Sequence, residues 1–463
     1  MRRFTTWFTT ACVVVGLCAT GSAFATNGYF THGLGTKNKA MAGAGIAMPE
    51  DAIDVTNNPA VAPFVGDQLI IGAALFSPTR KYETSPSQAN GYGGAITIGP
   101  NNIKSGSNYF FIPHIAKSWQ LSNDSAWALS FYGRGGMNTD WNGGTATFDH
   151  DGDGIPTTFD GTYGAGKAGV NFSQAFLDIT WAKKINENVS LGIAPVLVAQ
   201  MFKANGVGSF APLTETCARS FNPANMPFCD MPQNLSNNGT DWAFGGGLKV
   251  GLHATLSDRV SLGVSYQSKI YMTEFDDYAD LFAEQGDMDI PADFKIGLTF
   301  KASDAVSLSF DIEHIWYSDI SSVGNPIQVL FSDCPMTQMG GMDPSFCLGG
   351  DNGGGFGWED MTVFKGGLAW SNNEDWTWRF GYSYGEQPIR EDQMSFNILA
   401  PGVMEHHLTA GFTLATSPDR ELNVAVMYAP NIDVTGPQNF DPTQTVTFEM
   451  HQFELEVSYG WRF

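Results

Sequence analysis

Apolar and polar residues alternate along the last ten residues of the chain, from Glu454 to Phe463. One face of this segment is apolar or aromatic throughout, and it consists of Leu455, Val457, Tyr459, Trp461 and Phe463. In a water-soluble protein that face needs a partner sheet, whereas in a membrane barrel it faces lipid and the polar side faces the lumen. Because the same alternation recurs along the chain, it predicts a barrel rather than a sandwich.

The alternation predicts fourteen strands. They lie at 67–82, 107–120, 125–136, 172–185, 189–203, 240–256, 259–274, 291–302, 304–318, 359–372, 375–388, 404–416, 420–431 and 446–463. Short turns alternate with loops of about ten to forty residues, which is the habit of outer-membrane barrels. An even number of strands lets the sheet close without an edge in lipid. The predicted fold class is therefore an all-β transmembrane barrel of about 14 antiparallel strands over residues 67–463.

The first 25 residues have the three parts of a secretory signal peptide. Two arginines precede the apolar stretch 11–19, and Ala23-Phe24-Ala25 supplies a small-x-small cleavage site. Residues 1–25 are therefore predicted to be removed on export. Acylation at Cys18 is a weaker alternative, because a bulky leucine precedes that residue.

Charge and cysteine content narrow the picture further. The net charge is −23, so the surface should repel nucleic acid.

The cysteines beyond the signal segment fall into two local pairs, Cys217 with Cys229 and Cys334 with Cys347. In an exported chain they predict disulfides, and local pairing is favoured among the three possible connectivities. Neither pair has the C-x2-C spacing of a zinc site.

An acidic loop matches the spacing of a calcium-binding loop. Asp149, Asp151 and Asp153 fit the pattern D-x-D-x-D-G, and Asp160 stands at the twelfth position. Asp160 replaces the usual glutamate, and no flanking helix pair is evident. The motif predicts a calcium ion that stabilises the loop, with an acidic turn that holds no fixed ion as the alternative. No other cofactor is predicted.

Residues 26–66 do not alternate, and they are predicted to form short helical pieces broken by glycine. They contain, in order, Gly33-Leu34-Gly35, a small-residue run at 41–45, Asp51-Ala52 and Asn58-Pro59-Ala60. This ordered set resembles the amino terminus of the long-chain fatty acid transporter (FadL) family of outer-membrane proteins, which includes TodX-like importers of aromatic hydrocarbons. Together with the strand count and the terminal aromatic residue, the resemblance covers the whole mature chain.

The resemblance implies a barrel closed by a hatch, or plug, made of residues 26–66. The hatch signature residues are Gly33, Gly35, Asn58, Pro59 and Ala60. In that family an inward kink in the third strand opens the wall, so that ligand leaves sideways into the membrane. The matching residues here are Gly133, Gly135 and Gly136, since glycine inside a strand permits a bulge. The alternative is that these glycines only begin an external loop.

Several side chains are candidates for contact with a ligand. Strand phasing turns a set of cations towards the lumen, because a charge that faces lipid costs about 2–4 kcal/mol. Ion pairs across a plugged lumen are the first interpretation, and contact with a substrate carboxylate is the second. The candidates are Arg134, Lys269, Lys365 and Arg379, with the apolar loop residues Phe210 and Phe228.

The function implied by the resemblance is passive, ATP-independent import of long-chain fatty acids or hydrocarbons across the bacterial outer membrane. We expect a monomer without enzymatic activity. Its partners are a hydrophobic small molecule, outer-membrane lipid and the barrel assembly machinery, and nucleic acid is not among them. A general diffusion porin for polar solutes and an outer-membrane hydrolase are the alternatives. A porin has no need of residues 26–66, and the sequence offers no assembled catalytic set.

Overall fold

The computed structural model describes residues 26–222, 229–334 and 343–463. The segment 1–25, predicted to be a signal peptide, therefore lies outside the described residues. Fourteen antiparallel strands close into a barrel. They are β1 (Gln68–Thr84), β2 (Phe110–Ser122), β3 (Ser125–Asn138), β4 (Gly169–Lys184), β5 (Val189–Asn205), β6 (Asp241–Ser257), β7 (Val260–Gln267), β8 (Asp293–Lys301), β9 (Val306–Ile315), β10 (Met361–Ser371), β11 (Trp376–Gly385), β12 (His406–Ser417), β13 (Arg420–Gln438) and β14 (Asp441–Arg462). Each overlaps its predicted strand, which confirms the fold class.

Each barrel strand pairs with the next one along the chain, and the last strand pairs with the first. The closing pair β14–β1 is long, with Arg462 opposite Gln68 and Val446 opposite Thr84. Closure satisfies the backbone N–H and C=O groups of every strand without water, which a lipid environment requires.

Side chains alternate across the wall as the sequence predicts. Leu197 on β5 is 50% exposed, whereas its neighbours Val196 and Val198 are buried. On β14 the exposed residues Phe453, Leu455 and Val457 alternate with buried Glu454 and Glu456. Lipid covers the first set in the membrane, and the lumen holds the second.

The phasing predicted after Gln267 is wrong. The alternation over residues 260–273 predicts that Ile270 faces lipid and that Tyr271 faces the lumen. Ile270 is instead 0% exposed, and Tyr271 is 69% exposed. Gln267 pairs with Lys249, but Tyr271 pairs with Gly246, so the register slips by one residue between them. Because side chains alternate with a period of two, a one-residue slip reverses both faces.

Short strands and helical turns lie in the loops between the barrel strands and in residues 26–66. The additional strands are Thr97–Ile98, Asn102–Lys104, Thr145–Phe148, Thr157–Asp160 and Tyr271–Met272. The α-helical turns are Thr36–Lys39, Ala62–Val65, Glu215–Ser220, Ala283–Gly286, Ser321–Gly324, Val329–Ser332 and Met394–Asn397. The 3-10 turns are Ala52–Thr56, Pro59–Val61, Tyr92–Gly94, Gly208–Leu213, Asp276–Tyr278, Tyr317–Asp319 and Pro344–Phe346. Across the ranges given above, no helix is long and apolar enough to cross a membrane.

Residues 26–66 pack inside the barrel and are almost entirely buried. Their helical content is limited to four short turns, beginning at Thr36, Ala52, Pro59 and Ala62. Asp51 caps the second turn by accepting the N–H of Ile53 at 3.3 Å. The hatch contacts both the side chains and the backbone of the barrel wall.

Candidate functional site: a plugged lumen with a bulged wall strand

Asn58 and Pro59 fasten the end of the hatch to the wall. The Asn58 carboxamide donates to the backbone oxygens of Ile46, at 3.2 Å, and Leu252, at 3.0 Å. It also accepts the N–H of Ala60 at 3.0 Å, which starts the turn Pro59–Val61. A Cβ at Gly192 would lie 2.3 Å from the Pro59 carbonyl carbon. The wall residue that faces Pro59 is therefore glycine, because a side chain there would collide with the hatch backbone.

The two signature glycines near the start of the hatch lie at close approaches. Gly35 has a φ of +87°, a conformation that favours glycine, and an added Cβ would lie 2.3 Å from the Ile53 side chain. At Gly33 an added Cβ would lie 2.7 Å from Oδ1 of Asn38. That oxygen accepts the N–H of Leu34 at 3.0 Å, so the glycine makes room for a turn inside the hatch.

Buried ion pairs hold the first helical turn of the hatch. Lys39 Nζ lies 2.8 Å from Glu454 and 2.7 Å from Glu456, both on β14. Burial lowers the pKa of Lys39, but the two carboxylates outweigh it and leave the pKa above its usual value. Lys37 binds Glu421 of β13 at 2.6 Å. The hatch thus carries cations that complement the acidic lumen face of the last two strands.

Each of the four cations proposed for ligand contact has a carboxylate partner. Arg134 pairs with Asp293 at 2.7 Å and Lys269 with Asp289 at 2.9 Å. Lys365 pairs with Glu313 at 2.6 Å, and its Nζ also donates to the backbone oxygen of His32 at 3.0 Å. Arg379 pairs with Glu50 of the hatch. This arrangement matches the ion-pair interpretation of the sequence, and three of the four cations are buried.

The third strand has a bulge at the predicted glycines. The register of β3 against β4 shifts between Gly133 and Gly136. The start of the hatch pairs with this irregular stretch. Phe30 forms an antiparallel bridge with Gly135. Thr31 N–H donates to Arg134 O at 2.9 Å, and Gly136 N–H donates to Tyr29 O at 3.0 Å.

Gln174 and Tyr29 lie so close to Gly135 that they leave little room for a side chain in the bulge. A Cβ at Gly135 would lie 2.0 Å from Oε1 of Gln174 and 3.2 Å from the ring of Tyr29. The guanidinium of Arg134 lies over the Phe30 ring, 4.2 Å from its centroid. The bulge is therefore packed against the hatch through Tyr29 and Phe30.

Aromatic rings pack behind this plug. Tyr29 contacts Phe172 of β4 with ring centroids 5.7 Å apart, Tyr317 at 5.1 Å and Trp358 at 5.9 Å. Tyr317 also donates its hydroxyl to the backbone oxygen of Asn27 at 2.5 Å. The sequence does not predict this cluster. Tyr29, Tyr317 and Trp358 lie outside the barrel strands and carry no periodic signal, and Phe172 has the pattern of any lumen-facing strand residue.

A narrow apolar cavity lies between the aromatic cluster and the external loops. Its free volume is about 30 Å³, enough for about one water molecule. Phe210, a predicted ligand contact, belongs to its lining. The lining is formed by Val170, Phe202, Phe210, Leu281, Phe282, Ser322, Leu348, Gly354, Gly355, Phe356, Phe396 and Leu399. It has a single hydroxyl and no charged side chain, so its chemistry suits an apolar group.

The loops over the cavity are tied by the predicted disulfides. Cys217 bonds Cys229, and Cys334 bonds Cys347, which confirms the local pairing. Phe228, the other apolar loop candidate, lies outside the described residues.

The acidic loop brings together three of its four predicted calcium ligands. Oxygen atoms of Asp149, Asp151 and Asp153 lie within 4.8 Å of one another. Asp160 is not in this group, because it ends the strand Thr157–Asp160 and pairs there with Thr145. The Asp149 carboxylate accepts the N–H groups of Gly152 and Gly154, at 2.8 and 2.9 Å. These bonds close the turn by themselves, and calcium in it stays a prediction.

The hatch-filled barrel defines a class of outer-membrane transport proteins, and comparison of sequences gives the family. A profile of the family described as outer membrane protein transport protein (OMPP1/FadL/TodX) matches residues 12–458. The chain belongs to this family of outer-membrane transporters of hydrophobic compounds and is not an enzyme. The hydrolase alternative is therefore wrong.

Individual relatives agree with this assignment. The chain is 23% identical to a long-chain fatty acid transport protein of Salmonella typhi over 93% of each chain. The crystal structure of the Pseudomonas putida toluene transporter TodX matches 94% of this chain and 99% of its own, with a TM-score of 0.58 and 17% identity. A Pseudomonas aeruginosa FadL homologue matches 96% of this chain and 100% of its own, with a TM-score of 0.62 and 14% identity. At these identities the structural matches support the fold.

Proposed function

We propose that this protein imports uncharged hydrophobic compounds by passive diffusion, from the apolar cavity beneath the loops to a lateral exit at Gly133–Gly136 in β3. The observation that carries the proposal is the pairing of Tyr29–Thr31 with the bulged strand. This short stretch of hatch backbone is paired with the bulge, and we infer that its displacement opens a passage between the lumen and the membrane. No energy source is needed, because ligand moves down its concentration gradient.

The route keeps an apolar ligand out of water. Returning a buried CH2 group to water costs about 0.8 kcal/mol, so a long hydrocarbon gains much from a continuous apolar path. Phe210 and Phe202 line the cavity, and Phe172 continues the apolar surface to Tyr29 beside the bulge. The free volume of the cavity is small, so ligand has to displace side chains as it passes.

The substrate class follows from the lining. Relatives are named for transport of long-chain fatty acids and of toluene. A carboxylate needs a cation or several hydrogen-bond donors when it is buried. The only side-chain hydroxyl in the cavity lining, that of Ser322, already donates to the backbone oxygen of Asp287. The four candidate cations already have carboxylate partners. This chemistry favours an uncharged hydrocarbon over a fatty acid.

Uptake by cells that lack their own transporters tests the proposal. Cells that express this chain should accumulate labelled toluene faster than labelled oleate. Phe210→Ser should lower toluene uptake severalfold, because it puts a hydroxyl in the apolar lining. Phe221→Ser is the matched control, since Phe221 is an exposed aromatic residue of the same loop region. If cells that express the wild-type protein take up toluene no faster than empty-vector cells, import is refuted. Rapid swelling of proteoliposomes in sucrose would favour a diffusion porin.

A further inference from the structure

A second and larger cleft lies at the loop end of strands β3, β4 and β5. Its volume is about 500 Å³. In contrast to the apolar cavity, it is lined mainly by polar groups. Four asparagines line it, Asn138, Asn171, Asn205 and Asn237, with Lys167 and Lys203 as its cations.

Three of these residues form a row across the barrel wall. Asn138 of β3 is opposite Asn171 of β4, and Asn171 is opposite Lys203 of β5. The flanking residues Phe172 and Phe202 are buried in the lumen. Because side chains alternate across a strand, Asn171 and Lys203 project from the outer surface of the barrel.

The row lies at the boundary between the apolar belt and the loops. Met201, two residues before Lys203, is opposite Trp242 of β6. Trp242 is 39% exposed on the outer surface, and exposed aromatic residues of this kind mark the interface of a membrane barrel. Long loops leave the barrel at this end, whereas the opposite end has short turns such as that between β2 and β3. The row is therefore at the height of lipid headgroups in the outer leaflet.

The cleft has unused hydrogen-bonding capacity. Within the described residues, the four asparagine side chains make no hydrogen bond to the protein, and Lys203 has neither an ion pair nor a hydrogen bond. The Asn171 Oδ1 atom is buried without a partner. Lys167 pairs with Asp140 at 2.6 Å, so Lys203 leaves the cleft with one uncompensated positive charge.

We propose that this cleft binds the phosphorylated sugar headgroup of a lipopolysaccharide molecule in the outer leaflet. Carboxamides offer both donors and acceptors to sugar hydroxyls, and a free ammonium group suits a phosphate. The outer-leaflet glycolipid carries both groups and lies beside this surface. The polar lining makes the cleft a poor place for the hydrophobic cargo, so this site is separate from the import route.

Titration of the purified full-length protein with purified lipopolysaccharide, followed by native mass spectrometry, tests the proposal. Lys203→Gln should weaken binding about tenfold, as should removal of the lipid phosphates, because each removes one charge-assisted contact. Asn171→Leu should also weaken binding. Lys301→Gln is the matched control, since Lys301 is an exposed lysine at the opposite end of the barrel. Heat-modifiable electrophoretic mobility verifies that each variant is folded.

Three results would overturn the proposal. The first is equal lipopolysaccharide affinity for wild type and the Lys203→Gln variant. The second is binding of inorganic phosphate as tight as that of lipopolysaccharide, which would define a free-anion site. The third is displacement of lipopolysaccharide by oleate, which would place the cleft on a path for fatty acids. If the wild-type protein binds lipopolysaccharide but does not import toluene, that result counts against the proposed import function alone.

Discussion

Replacement of Lys39 with methionine should loosen the hatch. The Lys39 ammonium joins Glu454 and Glu456 at 2.8 and 2.7 Å, and all three side chains are at most 5% exposed. Methionine has a similar length but no charge, so both carboxylates lose their cation. Removing one partner of a buried ion pair costs about 3–5 kcal/mol. Glu456 keeps the Thr36 hydroxyl at 2.8 Å, which favours the lower end of that range.

Hydrogen exchange measures this loss directly. A cost of about 3 kcal/mol raises the population of the undocked hatch by roughly two powers of ten. Amide protection over residues 36–66 should therefore fall by about that factor, while the barrel strands keep theirs. Lys39→Arg is the matched control and should retain most of the protection. The triple variant Lys39→Met, Glu454→Gln, Glu456→Gln should recover part of it, because no buried charge is then left unpaired.

Unchanged amide protection in the Lys39→Met variant would refute this prediction. If Lys39→Met shows wild-type protection over residues 36–66, the ion pairs to β14 do not hold the hatch. The docking would then depend on backbone contacts such as those of Asn58 with Ile46 and Leu252.

Three further predictions concern assembly and the loops. If Phe463, a terminal aromatic residue that is 76% exposed, is the signal for barrel assembly, its deletion should lower the yield of heat-modifiable protein in the outer membrane, and an unchanged yield would contradict that role. If the Asp149 loop holds calcium, chelation should make residues 137–171 more sensitive to protease and Asp151→Ala should abolish the difference, whereas equal cleavage would leave an acidic turn without an ion. Burial, Asp289 and Glu284 raise the pKa of Asp287 to about 8, so the folded loop holds a proton that the unfolded loop releases. Loop stability should therefore fall as the pH rises from about 4 to 8, and hydrogen exchange over residues 282–290 should show this in wild type but not in Asp287→Asn.

The barrel could be predicted from the sequence because its physical signal is local. Each strand that crosses lipid must alternate apolar and polar residues, so even Leu455 and Glu456 at the end of the chain reveal their faces. The prediction failed at Ile270, where a one-residue slip in pairing leaves no mark in the composition.

The interior of the barrel depends on contacts that no local pattern contains. Lys39 meets Glu454 across more than four hundred residues of chain, and hundreds of other acid–base combinations were equally consistent with the sequence. The bulge at Gly133–Gly136 could be predicted from its glycines, whereas the insertion of Phe30 against Gly135 could not. Asp160 has the right spacing for a metal ligand but lies in a short strand whose pairing directs it elsewhere.

A disulfide lock between the hatch and the bulge tests the central claim most directly. Phe30 and Gly135 lie opposite each other as an antiparallel pair and make no backbone hydrogen bond to each other. The two hydrogen bonds beside them join Thr31 to Arg134 and Gly136 to Tyr29. Cα atoms in such pairs are about 4.5 Å apart, within the range that a disulfide bridges. Phe30→Cys combined with Gly135→Cys should therefore join the plug to the wall once the end of the Gln174 side chain, whose Oε1 atom would lie 2.0 Å from the new Cβ, has turned away.

If ligand leaves where Tyr29–Thr31 now fills the wall, oxidised cells that carry the double variant should import labelled toluene no faster than cells without the protein. A reducing agent should restore uptake, and each single variant should import equally with and without it, which controls for the native pairs Cys217–Cys229 and Cys334–Cys347. Undiminished uptake by the fully oxidised, correctly inserted double variant would contradict a lateral exit at this strand.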